Sequence, residues 1–81
     1  MKAIINIGLK KGILDDQGRA IHNALDTLGF SKSVLDVRMG KQIVLDLNCK
    51  KKEDCLEEAT NMCEKLLANT VIEDYDISIE G

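Results

Sequence analysis

The chain has one histidine and three cysteines, the side chains most often used in acid–base and nucleophilic chemistry. His22 falls on the polar side of a predicted helix, beside Arg19 and Asp26, so we expect a solvated histidine rather than a general base. No cysteine or serine has an evident base partner in the sequence, as an activated nucleophile would need. The residues therefore predict no catalytic set in this chain.

The cysteines fit neither a zinc signature nor a disulfide framework. Their number is odd, and the spacing of Cys49, Cys55 and Cys63 matches no metal-binding pattern. Cys55 and Cys63 would lie roughly 12 Å apart along one helix, whereas disulfide-bonded Cα atoms lie within about 7 Å. We expect reduced, partly buried thiols and no metal site.

Charged runs offer no clearer chemistry. The basic runs at residues 10–11 and 50–52 are typical of solvated loops and helix starts. Asp74 and Asp76 alternate along a predicted strand, which places them on its polar face. Residues 8–12 lack the glycine spacing of a phosphate-binding loop.

Length and composition bound the class of protein. We expect a single domain over residues 1–81, and so short a chain buries only about 60–65% of its unfolded surface, so a partner would supplement its stability. A net charge of −3 disfavours nucleic-acid and anionic-membrane partners. No apolar run approaches the roughly 20 residues of a membrane span, and the N-terminus lacks the features of a signal peptide. We expect a cytoplasmic protein.

Apolar periodicity predicts six elements in the order β-α-β-β-α-β. Alternation marks the strands, and stripes at helical spacing mark the helices. This order is typical of the ferredoxin-like α+β fold, an antiparallel four-stranded sheet with two helices on one face. The elements are expected at strand 2–9, a helix from Asp15 to Gly29, strand 35–39, strand 43–47, helix 52–68 and strand 75–80.

Particular residues should shape these elements. Gly40 should close a three-residue hairpin loop in the left-handed conformation, and Asn69 should make a left-handed helix exit. Gly18 lies near the start of the first helix at a cost of about 1 kcal/mol relative to alanine, which indicates either a close approach by another group or a harmlessly frayed first turn. Asp54 is a candidate cap for the second helix.

One face of the predicted sheet has no helix to cover it. Its mixed polarity is unsuited to a closed core, yet several aliphatic side chains would be left exposed. We expect a contact surface, most simply that of a homodimer. The residues on this face are Ile4, Asn6, Gly8, Val34, Asp36, Arg38, Val44 and Asp46.

Three segments together resemble the PurS family. They are Leu14-Asp15-Asp16-Gln17-Gly18 with Ala20 and Ala24-Leu25, then Asp36-Val37-Arg38 with Gly40-Lys41, and the run from Cys63 to Tyr75. In this order and with these intervals, the likeness covers nearly the whole chain. One departure is Asp16, where the family usually has proline; aspartate gives up rigidity but adds a favourable charge at the helix N-terminus.

The resemblance implies the small, non-catalytic subunit of phosphoribosylformylglycinamidine synthase, a glutamine-dependent and ATP-using ligase of purine biosynthesis. In such complexes a glutaminase subunit releases ammonia, and a large synthetase subunit binds ATP, magnesium and the ribonucleotide. The family's homodimers, or tetramers built from them, are expected to bridge these two subunits and support ammonia transfer. The resemblance implies no cofactor in this chain.

The matched polar positions are the candidates for partner interfaces, although Asp15 and Asn69 also have structural roles as cap and helix exit. Two other functions remain open: a stand-alone ferredoxin-like regulatory dimer that binds a small molecule, and a small enzyme using His22 or a cysteine. The interface candidates are Asp15, Gln17, Gly18, Asp36, Arg38, Lys41, Asn69, Thr70, Glu73 and Asp74.

Overall fold

The computed structural model describes residues 1–81 and contains three strands and two α-helices. The α+β class is as the sequence predicts. Neither helix is long and apolar enough to cross a membrane. The elements are β1 (Lys2–Leu9), α1 (Asp16–Thr27), β2 (Gly40–Asp46), α2 (Lys52–Met62) with a π-helical turn (Cys63–Leu67), and β3 (Glu73–Glu80).

The three strands form an antiparallel sheet in the order β2-β1-β3. In this register Ile5 of β1 lies between Ile43 of β2 and Ile77 of β3. Alternation along β1 buries Ala3, Ile5 and Ile7, each at most 3% exposed. The predicted inward face of this strand is therefore confirmed.

Helix α2 covers the inner face of the sheet. Cys55, Ala59 and Cys63 recur at helical spacing and are fully buried. Cys63 packs with Ile5 and Ile7 in the core cluster. The small residues on this face allow the helix to lie close to β1 and β3.

The π-helical turn changes which side chains face inward. Its defining bond runs from the amide of Ala68 to the carbonyl of Cys63, five residues earlier, at 3.0 Å. The wider turn moves the apolar stripe by one position, so Ala68 is buried while Leu66 is 83% exposed. The apolar spacing of helix 52–68 predicts Leu56 and Leu66 in the core, but both side chains are exposed, so this prediction is wrong.

Residues 10–39, which we call the arm, extend away from the sheet. Helix α1 buries only Gly18, although its stripe includes Ile21 and Leu25. The molecule measures 49 × 26 × 14 Å and has a radius of gyration of 16.1 Å, against about 12 Å for a compact chain of this length. Only nine of 81 residues are buried. Two helices were expected on one face of the sheet, but α1 projects away from the sheet.

The predicted four-stranded sheet is not formed, because residues 34–39 contain no strand. These residues instead form hydrogen bonds with the segment where the arm begins. The amide of Met39 donates to the Asp15 carboxylate, and Arg38 donates to the carbonyls of Leu9 and Lys10. An amide committed to this carboxylate is not free to join a strand ladder. The ferredoxin-like topology is thus corrected to a three-stranded α+β arrangement in the single chain.

Two of the predicted turns also differ. Gly29 follows α1 with φ 98°, as expected for a residue that ends a helix. Gly40 and Asn69, however, do not adopt the left-handed conformation. Gly40 begins β2, where a Cβ atom would lie 2.9 Å from the Ile7 carbonyl oxygen, so glycine is required by close strand approach.

The cysteines correct a further expectation. Cys49 and Cys55 are paired as a disulfide, and only Cys63 is free. The spacing argument considered two cysteines on one helix, whereas Cys49 lies in the preceding loop and turns back onto the first turn of α2. Its Cα atom is 5.7 Å from that of Cys55, within the usual range for a disulfide.

Candidate interaction surface

The exposed side of α1 carries large apolar side chains that the core does not cover. Ile21 is 40% exposed and Leu28 is 71% exposed, and Phe30 and Leu35 continue the surface beyond the helix. We call this surface the arm stripe. An apolar stripe at helical spacing forms where a helix packs against another surface. In the single chain, no such surface covers it.

Asp15 fixes the start of the arm helix. Its Oδ1 accepts from the Gly18 amide at 2.9 Å, which is the predicted N-cap interaction. Its Oδ2 accepts from the Met39 amide at 2.7 Å. These two bonds, and then the nearby Arg38, hold the pKa of Asp15 below its ordinary value against the opposing effect of desolvation. Asp15 is therefore a charged clamp between the two ends of the arm.

Gly18 is required by this clamp. A Cβ atom at this position would lie 2.6 Å from both the Asp15 carboxylate and the Val37 carbonyl oxygen. The close approach predicted from a glycine in the first turn is confirmed. Helix α1 and the returning segment meet there without room for a side chain.

The base of the arm lies at one end of the sheet. Gly8 of β1 is opposite Gly40 and Asp74, and the neighbouring positions bring Lys41 and Glu73 to the same end. A cleft of about 270 Å³, which we call the root cleft, opens between sheet and arm. Four of the ten interface candidates line it: Asp15, Gln17, Lys41 and Glu73.

Two ion pairs lie at this end of the sheet, and one of them, Lys41 with Glu73, lines the root cleft. Lys41 Nζ lies 3.8 Å from the Glu73 carboxylate, and Lys10 Nζ lies 4.0 Å from Asp74. Both lysines are well exposed, so each pair contributes little to folding stability. They leave charged groups available to a partner surface.

The turn before β3 explains two further candidates. The Asn69 amide donates to Glu73 Oε1 at 2.7 Å, and the Asn69 side chain accepts from the Val71 amide at 3.2 Å. Asn69 thus shapes the turn through its side chain. Thr70 lies exposed at the same turn.

Asp36 lies apart from the root cleft. It lines a second depression together with Arg38, Arg19 and His22. His22 is 3.8 Å from Asp26 one helical turn away, and its side chain is 28% exposed. The only free cysteine, Cys63, is buried in the core and does not line this depression.

Sequence reasoning missed several polar contacts. The Tyr75 hydroxyl donates to Glu64 at 2.6 Å, and this bond is the first cause of a Tyr75 pKa raised to about 12. Asn6 links Gln42 and Asp76 in a ladder across the open sheet face. The strand register brings Asn6, Gln42 and Asp76 together, whereas Glu64 reaches Tyr75 from the π-helical turn. Both contacts depend on tertiary structure, so no local signal could have identified them.

No group of three or more histidine, cysteine, aspartate or glutamate side chains is arranged to hold a metal ion. The polar groups at the arm base instead satisfy one another or face solvent. Chemically, this arrangement can recognise a charged and apolar protein surface.

Comparison with known proteins gives the family. The PurS model, described as phosphoribosylformylglycinamidine (FGAM) synthase, matches residues 2–81. The chain is 46% identical over 79 residues to the PurS subunit of phosphoribosylformylglycinamidine synthase from Methanocaldococcus jannaschii, covering 98% of this chain and 94% of that protein. It is 43% identical to the Bacillus subtilis PurS subunit, with 98% and 92% coverage.

Solved structures agree with this result. The crystal structure of Methanocaldococcus jannaschii PurS superposes with a TM-score of 0.88 over 98% of this chain and 94% of that chain, at 46% identity. A chain in the structure of PurLQS from Thermotoga maritima superposes with a TM-score of 0.86, at 31% identity, over 95% and 93% of the two chains. Matched along nearly its whole length in both sequence and structure, the chain belongs to the PurS family.

Proposed function

We propose that this chain is the small, non-catalytic subunit of phosphoribosylformylglycinamidine synthase in purine biosynthesis, and that it joins the glutaminase subunit to the large synthetase subunit. Family membership and the similar chain in PurLQS support this role. The arm stripe is the observation that carries it, since a helix held away from its own core is suited to contact another chain.

The first contact of the arm is with a second copy of the chain. A groove of about 390 Å³ lies beside α2 on the inner side of the sheet, lined by Leu45, Met62, Leu66 and Leu67. We call it the α2 groove. It is the place that a second helix would fill in a two-helix layer over this sheet.

A chain's own arm does not fill its own α2 groove. The bonds from the Met39 amide to Asp15 and from Arg38 to the Lys10 carbonyl hold the arm base, and Leu28 after α1 is exposed. A second copy can supply the missing helix, and the same contact made in return gives a two-fold homodimer. Dimers can pair further into tetramers through the half-buried Ile4 and the exposed Val44, which lie opposite one another on the open sheet face.

Bridging has a chemical purpose in this enzyme. Ammonia released into water near neutral pH is mostly protonated, and the ammonium ion is not a nucleophile. A subunit that holds the glutaminase and synthetase sites in register therefore supports ammonia transfer between them. The charged groups of the root cleft, with Thr70 and Asp74 beside them, are the surfaces we assign to these partners.

This role places the chemistry elsewhere in the complex. ATP and magnesium bind to the large synthetase subunit, and this chain provides no cofactor ligands. The complex acts in the cytoplasm, and the acidic charge of −3 supports protein partners over nucleic acid or anionic membranes.

Reconstitution tests the proposal. The glutaminase and synthetase subunits are mixed with ATP, magnesium, glutamine and formylglycinamide ribonucleotide, with and without this chain. Glutamine-dependent product should require the chain, and the three proteins should elute together. Product formed by the synthetase from added ammonium salt should not depend on the chain.

Two variants sharpen the result. Thr70→Arg places a large cation on an exposed turn, so it should weaken assembly while leaving the fold intact. His22→Ala should keep full glutamine-dependent activity. Unchanged turnover without the chain, together with no complex, would refute the assembly role, and a large loss in His22→Ala would point to catalysis.

The alternative function, a regulatory dimer that binds a small molecule, has the root cleft as its site. A cleft of about 270 Å³ with both charges is suited to a small zwitterionic compound. A chain that dimerises but joins neither large subunit would favour this alternative.

A further inference from the structure

The loop between β2 and α2 brings two cysteines together. Cys49 lies in this loop and is partly exposed, whereas Cys55 lies in the first turn of α2 and is fully buried. Their Cα atoms are 5.7 Å apart and their sulfur atoms are bonded. Cys49 is thus partly reached by solvent, whereas Cys55 is not.

The disulfide lies at the start of α2, which no side-chain cap stabilises. The N-cap of α2 is Lys51, which makes no side-chain cap hydrogen bond. Helix α1, in contrast, has the Asp15 carboxylate at the equivalent place. A helix start without a cap leaves its first amides to solvent and frays easily.

The N-terminus of the chain lies beside the disulfide. Met1 and Leu47 exchange two hydrogen bonds, from the Leu47 amide at 2.8 Å and from the terminal amine at 3.2 Å. The Met1 sulfur is 3.6 Å from the Cys55 sulfur. The disulfide therefore joins the end of β2 and the start of α2 beside the first residue of the chain.

We propose that Cys49 and Cys55 form a reversible thiol–disulfide site that locks the start of α2. A small-molecule disulfide such as oxidised glutathione is the oxidant. The Cys49 thiolate attacks one of its sulfur atoms and releases one thiolate, giving a mixed disulfide. The Cys55 thiolate then displaces the second, so two cysteine protons and two electrons leave the protein and the reagent becomes two thiols. A dithiol reverses the reaction.

Accessibility sets this order of attack. Cys49 can meet a reagent from solvent, whereas Cys55 is reached only after its partner has reacted. Cys63 takes no part, because it lies in the core and burial is the first cause of its raised thiol pKa.

Reduction should loosen the neighbouring surface. A cleft of about 420 Å³ beside the disulfide is lined by Cys49, Asp54, Glu57 and Glu58 among others, all from the loop and α2. When the disulfide is reduced, residues 47–55 lose the only covalent cross-link within this segment. Their amides should then exchange hydrogen faster, while those of β1 do not change.

Thiol counting and intact mass test the site. The purified chain is equilibrated with oxidised glutathione or with dithiothreitol, then denatured and alkylated with iodoacetamide. The oxidised protein should gain one alkyl group, on Cys63, and the reduced protein three. Before alkylation, the oxidised form should be about 2 Da lighter, the mass of the two hydrogens lost.

Stability gives a second readout. The oxidised chain should melt about 5–10 °C above the reduced chain, as expected for a short closed loop in a small domain. Cys49→Ser is the matched variant, because its side chain is partly exposed and nearly isosteric. It should fold, lose the 2 Da change of about two hydrogens, and melt at the same temperature with either reagent.

Three results would overturn the proposal. One is alkylation of all three cysteines after treatment with oxidised glutathione. Another is a persistent glutathione adduct on Cys49, which would show that Cys55 cannot complete the exchange. The third is a melting temperature of the wild-type chain that is the same in both reagents.

Discussion

Asp15 joins two parts of the chain that lie 24 residues apart. One carboxylate oxygen caps α1 through the Gly18 amide, and the other holds the Met39 amide. The sequence predicts only the first bond, because an N-cap is a local feature. The second bond could not be predicted, since it depends on where the arm returns to the sheet.

The charge of Asp15 makes stability depend on pH. Its pKa in the folded chain lies below the ordinary value of 3.8, mainly because it accepts two backbone hydrogen bonds. Its contribution is therefore fully present above about pH 4 and is lost as the pH falls through the lower folded value. The melting temperature of the wild-type chain should fall correspondingly in acid.

Asp15→Asn should weaken this dependence. Asparagine can still accept from Gly18, but its amide group faces the Met39 donor without an acceptor. We expect a melting temperature about 4–8 °C lower at pH 7 and a flatter profile below pH 4, measured by circular dichroism. Asp16→Asn, on the exposed first turn, is the control and should keep the wild-type profile; equal profiles for both variants would contradict the clamp.

Gly18 shows why helix propensity alone misleads. Alanine is favoured over glycine by about 1 kcal/mol in a helix interior. Here its Cβ atom would lie 2.6 Å from the Val37 carbonyl oxygen. The steric cost should exceed the gain in propensity, because the opposing atom belongs to the backbone.

We expect Gly18→Ala to lower the free energy of unfolding by about 1–3 kcal/mol in chemical denaturation. Gly8→Ala is the matched control, since nothing lies within 4 Å of the added atom. It should change stability by less than about 1 kcal/mol. A stabilised Gly18→Ala would show that α1 and the segment near Val37 are not in close contact.

At the scale of elements, the strongest periodic patterns gave correct predictions. Strand β1 spans Lys2–Leu9 and α1 begins after Asp15, as predicted. Both rest on local signals, namely strict alternation and a capping residue before an apolar stripe. Gly29, which follows the end of α1 in the left-handed conformation, was predictable for the same reason.

The strand predicted at residues 35–39 failed for a physical reason. Its alternation is genuine, but a strand also needs a partner for its backbone groups. In this chain the Met39 amide is used by Asp15, and the Val37 carbonyl lies against Gly18. Competition from these distant groups decided the outcome.

The second helix shows a subtler failure. Its existence and its span were predicted, but the π-helical turn at Cys63–Leu67 was not. The hydrogen bond between residues five positions apart widens the turn and changes the direction of the side chains along it. Leu66 therefore faces the α2 groove instead of the core. Periodic patterns assume a constant turn and cannot register such a change.

At the scale of the molecule, the extended shape predicts an obligate partner. Leu28 is 71% exposed at the end of α1, and the α2 groove lies uncovered. Leu28→Glu should leave the chain folded but raise the dimer dissociation constant at least tenfold, about 1.4 kcal/mol. Sedimentation across a concentration series measures this change.

Asn23→Glu is the control for this variant, because it adds the same charge to the same helix on its polar side. It should dimerise like the wild-type chain. If Leu28→Glu remains as dimeric as Asn23→Glu, the arm stripe is not the dimer contact. The assembly role would then have to rest on another surface.

The amino-acid sequence by itself determined the α+β class, the first strand, the capped and apolar arm helix, and the family resemblance. These features depend on residues close together in the chain, where spacing and type suffice. Tertiary structure alone decided the number of strands, the Cys49–Cys55 bond and the direction of the arm. Each of these depends on groups that meet only after the chain has turned back on itself. The missing strand is an example, because the Met39 amide donates to Asp15 and so cannot also donate to a neighbouring strand.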